Sequence, residues 1–87
     1  MGGRAASSKG FGDDRYRALI GRLIEERKQL KLSQQALADR LGRHQQFVSR
    51  YELGERRLDV VEFVDVAGAL GMDPSALISA LSRSKDR

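Results

Sequence analysis

No cysteine occurs in the 87 residues, so neither a disulfide nor a thiolate-bound metal can hold this chain together. That fits a reducing compartment. Histidine occurs once, as His44, and a metal site would need companion ligands that are missing. No glycine-rich loop could cradle a phosphate, and no two carboxylates share an apolar face, so the inventory for catalysis is poor. No apolar run approaches the roughly 20 residues of a membrane span. The N-terminus lacks the apolar centre of a secretory signal. No alternating pattern marks a strand, and no internal repeat is present. These absences leave a soluble, cytoplasmic, non-enzymatic protein with no metal and no cofactor as the expectation.

What is present is a charge asymmetry. The formal net charge is +4, but residues 1–57 carry 13 Lys/Arg against 7 Asp/Glu. Residues 58–82 carry no Lys or Arg and 4 Asp/Glu, and residues 83–87 return a small positive balance. A polyanion should meet the first part of the chain, while the acidic part faces elsewhere. At this length a single domain is expected, with no separate sensing module.

Apolar spacing predicts five helices. Residues 1–12 are rich in Gly, Ser and Ala and read as a disordered, weakly basic arm. The folded domain spans 13–82, and 83–87 read as a frayed tail. Helix 1 should begin at Asp13 or Asp14 and reach Leu30, with Tyr16, Leu19, Ile20, Leu23, Ile24 and Leu30 inward. Arg27 lies on the same stripe and therefore needs a partner, because a buried unpaired charge is costly. Ser33 caps helix 2, Gln34 to Leu41, and helix 3 covers about Gln45 to Leu53. Gly54 is placed to end helix 3 in a left-handed conformation. Asp59 and Glu62 form a capping box for helix 4, flanked by Leu58 and Phe63 as a hydrophobic staple. Asp73-Pro74 opens helix 5.

The stretch Gln34–Leu53 is the centre of the chain. Leu37, Ala38 and Leu41 give the first short helix an apolar side, and Gly42 supplies the turn. After the turn, Val48 and Tyr51 lie on one side and Gln45, Gln46, Ser49 and Arg50 form a polar ridge on the other. Helices this short are unstable alone, so the apolar sides must be packed and the ridge presented outward. The pattern is a helix-turn-helix.

With those residues in view, LSQQALADRLGRHQQFVSRYELGER resembles the helix-turn-helix of the Cro and phage-repressor family of DNA-binding regulators. Gln34, Ala38, Gly42, Val48, Glu52 and Gly54 match the family's pattern, and the likeness covers roughly residues 14 to 81. Arg43 stands where an aliphatic residue or Thr is common, His44 where Ser, Thr or Pro usually opens the recognition helix, and Lys31 where Gly often ends helix 1. The resemblance implies an all-α, compact five-helix bundle with the motif at helices 2 and 3. It also implies a buried ion pair between Arg27 and Glu52.

In such a fold the second motif helix enters the major groove. Gln45, Gln46, Ser49 and Arg50 are then the expected base readers, since Gln suits adenine and Arg suits guanine. Gln34 opens helix 2, where a phosphate is favoured; the resemblance adds a second role, bracing Gln45. Arg43, His44, Arg56 and Arg57 are expected on the DNA backbone, with Phe47 against sugar or a thymine methyl. The competing reading for Phe47 is contact with a second copy, since an exposed Phe needs explaining. Leu77, Ile78 and Leu81 on helix 5 are the expected dimer contacts, against the alternative that they close the monomer core. The resulting expectation is a dimeric transcriptional regulator, a repressor, on a palindromic double-stranded operator. The alternative is an antitoxin of a toxin–antitoxin pair, or an adaptor, whose acidic residues 58–82 meet a protein partner.

Overall fold

The computed structural model describes residues 13–85. Five helices follow one another: α1 Asp14–Gln29, α2 Gln34–Leu41, α3 Gln45–Leu53, α4 Val60–Ala69 and α5 Pro74–Lys85. No strand occurs among the described residues. The expected arm, 1–12, lies outside them. Helix α5 continues three residues past the expected end of the folded domain at 82, to Lys85. Nothing in the sequence Arg83-Ser84-Lys85 breaks a helix.

Helices α1, α2, α4 and α5 begin where a side chain takes up orphan backbone N–H groups. The Asp13 carboxylate accepts from the N–H of Arg15 and Tyr16, and these bonds hold it below the usual carboxylate range. Ser33 Oγ accepts from the Ala36 N–H at 2.9 Å. At α4, Asp59 accepts from the Glu62 N–H at 2.7 Å while Glu62 accepts from the Asp59 N–H at 3.0 Å. Helix α1 ends differently. Lys31 takes φ +59, a left-handed conformation that glycine adopts more readily, so the chain turns there against the preference of its side chain.

The core lies among the five helices, with α2 packed on α3 and α4, α1 on α3 and α5, and α4 on α5. Leu23, Leu37, Val48, Tyr51 and Val66 are fully buried, each contributing on the order of 1.5–3 kcal/mol by leaving water. Leu30, expected on the inward stripe, is 44% exposed, because α1 has ended at Gln29 and the chain is already turning away. The Tyr16 hydroxyl accepts a hydrogen bond from the Leu58 N–H at 3.1 Å, fastening the loop before α4 to α1. No single helix among the described residues is long and apolar enough to cross a membrane.

Candidate nucleic-acid interface

The turn between α2 and α3 is set by Gly42, at φ +68, whose N–H caps α2 on the Ala38 and Asp39 carbonyls. The Arg43 N–H also returns to the Ala38 carbonyl at 2.9 Å. Helix α3 then starts at His44, which supplies no side-chain cap. Phe47, Val48 and Tyr51 form its buried side. Gln46 and Arg50 are exposed on the opposite side, with Gln45 and Ser49 half-buried beside them.

A chain of polar contacts fixes this helix from behind. Arg27 donates to Glu52 from Nε at 2.8 Å and from a terminal nitrogen at 3.0 Å, and its other terminal nitrogen donates to the Leu32 carbonyl at 2.7 Å. The Glu52 hydrogen bonds raise the Arg27 pKa against the opposing effect of burial. Glu52 also accepts from the Gln34 side chain at 2.9 Å, and Gln34 in turn accepts from the Gln45 side chain at 2.7 Å. The charge buried behind α3 is thereby linked, residue by residue, to the first residue of α3.

A second cluster sits at the other edge. Glu62 receives both terminal nitrogens of Arg56 at 2.7 Å, one on each carboxylate oxygen, and one nitrogen of Arg43 at 3.1 Å. Both guanidinium groups lie over the Phe47 ring, 4.1 Å from its centroid for Arg43 and 5.0 Å for Arg56. Bonds from Arg56, then the Asp59 N–H, then Arg43 hold the Glu62 carboxyl down at about 2. The same contact raises Arg56. Arg43, His44, Gln46, Phe47, Arg50 and Arg56 line a cleft of about 220 Å³ beside the exposed side of α3. A helix with outward amides, rigidly seated and edged by cations, is a shape suited to a duplex groove.

Comparison with known proteins agrees with that shape. The helix-turn-helix family model matches residues 23–77. A solved structure, an XRE-family like protein from Pseudomonas syringae pv. tomato str. DC3000, is 50% identical, with 80% of this chain and 85% of that chain covered and a TM-score of 0.76. The chain belongs to the Cro/phage-repressor type of helix-turn-helix family. It is accordingly a DNA-binding helix-turn-helix regulator. No curated protein matches it.

Within this helix-turn-helix protein the expected site residues separate into groups. Gln45, Gln46, Ser49 and Arg50 share the outer side of α3, and Gln34 stands directly behind Gln45. Arg43 and Arg56 are joined through Glu62, and exposed His44 lies next to them in the cleft. The Arg57 guanidinium stacks on the Tyr16 ring at 4.0 Å, across the loop from that cleft. Phe47 is a correction. The residue is only 9% exposed, its ring packs edge-on against Tyr51 at 5.6 Å, and two arginines lie over it, so it is a core residue and not an exposed one. Its four-residue spacing from Tyr51 was the available signal.

Leu77 is a second correction: at 8% exposure it belongs to the monomer core, not to a free surface. Ile78 is 50% exposed and Leu81 is half-buried. Glu62 is the site residue that sequence reading missed, because its capping role was apparent and its arginine partners were not. Nothing local signals it, since Arg56 precedes it by a loop and Arg43 comes from the turn before α3.

Proposed function

We propose that the protein is a sequence-specific transcriptional repressor that binds double-stranded DNA as a dimer and reads the major groove with α3. The observation that carries this is the Arg27–Glu52–Gln34–Gln45 chain. It fixes the start of α3 through buried polar contacts while leaving Gln46 and Arg50 exposed beside a cleft edged by arginines. Gln45, Gln46, Ser49 and Arg50 are the base readers, and Gln34, Arg43, His44, Arg56 and Arg57 are the backbone contacts. A palindromic operator follows from a two-fold dimer, with half-site centres about 34 Å apart.

Assembly is supported by an apolar face remote from α3. Val60, Val61, Val64 and Ile78 are 77%, 68%, 45% and 50% exposed, and three of them border a groove of about 540 Å³ between α4 and α5. A contiguous apolar patch on a small protein is explained by a covering partner. We assign it to a second copy; sedimentation with and without DNA tests this, and a monomer under both conditions sinks it. The same face favours the second reading, in which an antitoxin or adaptor binds a partner protein there.

The test of reading is binding-site selection from a random duplex pool, followed by affinity for the selected site and its single-base variants. Base contacts specify and backbone contacts position. Gln46→Ala or Arg50→Ala should therefore lose about 1–3 kcal/mol on the selected site and relax preference at one base pair per half-site. Arg57→Ala should weaken all sequences alike. If both α3 variants weaken all sequences alike as well, α3 is not the reader.

A further inference from the structure

The Glu62 cluster presents a conflict of signs. A carboxylate beside a DNA-binding face should repel phosphate, and its removal should tighten binding. Glu62, however, is buried behind the arginines, with its side chain 9% exposed against 42% for Arg43 and 38% for Arg56. Its two oxygens face Arg56 in a fork-on-fork pair, and one of them also reaches Arg43. The Phe47 ring supports both guanidinium groups from below. Arg43 comes from the turn before α3, Arg56 from the loop after it, and Glu62 from α4. Glu62 thus makes one body of three separate segments and turns two flexible side chains into fixed ones. The cleft of about 220 Å³ beside them is edged also by His44 and Arg50.

We propose that Glu62 is the positioning residue of the interface: it holds Arg43 and Arg56 from behind, so that their outward edges form a rigid seat for a backbone phosphate beside α3. This rests on the DNA-binding reading above. Ordering two long side chains before the encounter removes an entropic penalty that DNA binding would otherwise bear, and that gain exceeds the repulsion from one shielded charge. Glu62 touches no DNA itself.

Two substitutions separate positioning from folding. Glu62→Gln removes the charge but keeps an oxygen for the Asp59 N–H, and Gln serves at this helix position as Glu does, so α4 keeps its start. Asp59→Ala removes the cap and keeps the carboxylate between the arginines. Affinity for the selected duplex and for random duplex is measured at several salt concentrations, alongside thermal melts. Glu62→Gln should bind both duplexes about tenfold more weakly, with the salt slope reduced by about one for each phosphate that is no longer neutralised. Asp59→Ala should melt earlier with its salt slope unchanged. In an Arg56→Ala background, Glu62→Gln should have a much smaller effect, since its main partner is gone.

Equal or tighter binding by Glu62→Gln, with an equal or steeper slope, would make Glu62 a mere repelling charge and overturn the proposal. An equal reduction of slope in Asp59→Ala would trace the effect to α4 stability and overturn it too. Absence of salt-dependent duplex binding by the unaltered protein would remove the DNA-binding reading itself, and this inference with it.

Discussion

Two carboxylate–arginine clusters flank the recognition helix, and the same chemistry does different work in each. Behind α3, Arg27 and Glu52 are both nearly sealed, with side chains 11% and 7% exposed. Three nitrogens of Arg27 are occupied, and Glu52 also holds Gln34. Neither Arg27 nor Glu52 is left for a partner. Beside α3, Glu62 is shielded but its arginines are half-exposed, with edges turned outward. The difference is one of boundary: a fully enclosed pair can only hold the fold, whereas a pair enclosed on one side can hold the fold and offer charge to something else.

The largest effect should come from breaking the sealed cluster. Glu52→Ala leaves Arg27 charged and buried without its partner and releases Gln34, which should destabilise the protein by about 3–5 kcal/mol. Urea titration measures this. A midpoint equal to that of the unaltered protein would show that Arg27 reaches water and that the two clusters do not differ in kind.

Acid should distinguish the clusters through Glu62. Its folded-state pKa, about 2, lies below the ordinary 4.5, so its stabilising contribution is complete above about pH 4.5 and is lost as pH falls toward about 2. Glu62→Gln should be less stable than the unaltered protein near neutrality, and the gap should close across that window. Denaturant midpoints at a series of pH values give the gap directly. A gap independent of pH would mean that the carboxylate is not anchored by the arginines.

A smaller effect is expected at the loop that Arg27 clamps through the Leu32 carbonyl. Lys31 sits there at φ +59, and Lys31→Gly should raise stability by about 1 kcal/mol by removing the left-handed strain. A decrease in stability would mean that the lysine side chain contributes more than its backbone conformation costs. The smallest change concerns Tyr51, next to Glu52 in the chain. Its hydroxyl is buried with no hydrogen-bond partner among the described residues, and burial pushes its pKa well up. Tyr51→Phe should therefore leave the thermal midpoint equal or slightly higher, in contrast to the destabilisation at the well-partnered Glu52. A clear drop would reveal a partner for that hydroxyl.

The helices and their starts were legible in the residues. Ser33, the Asp59–Glu62 box and Asp73-Pro74 act within three or four positions of themselves, and apolar spacing marked Leu23, Leu37 and Val48 as core. The outer ridge of α3 was legible for the same reason, because helical periodicity alone assigns Gln46 and Arg50 to the side opposite Val48. Phe47 and Leu77 were misjudged where position on a helix had to stand in for burial. Phe47 lies at the edge of its stripe, and only the two arginines arriving from other segments seal it. Leu77 and Ile78 are neighbours of equal apolarity, and the packing of α5 against α1 and α4 put one inside and the other in water.

Capping, turn and periodicity are interactions between near neighbours, and on those the order of residues was sufficient: five helices, a tight turn at Gly42 and a polar ridge after it. The paired arginines on Glu62 join positions 43, 56 and 62 across a turn and a loop, and the seat for Gln45 joins 27, 52, 34 and 45. Those contacts exist only once the helices have packed, because burial, the removal of competing water and the angle at which segments meet are properties of the assembled core and of no single stretch of chain.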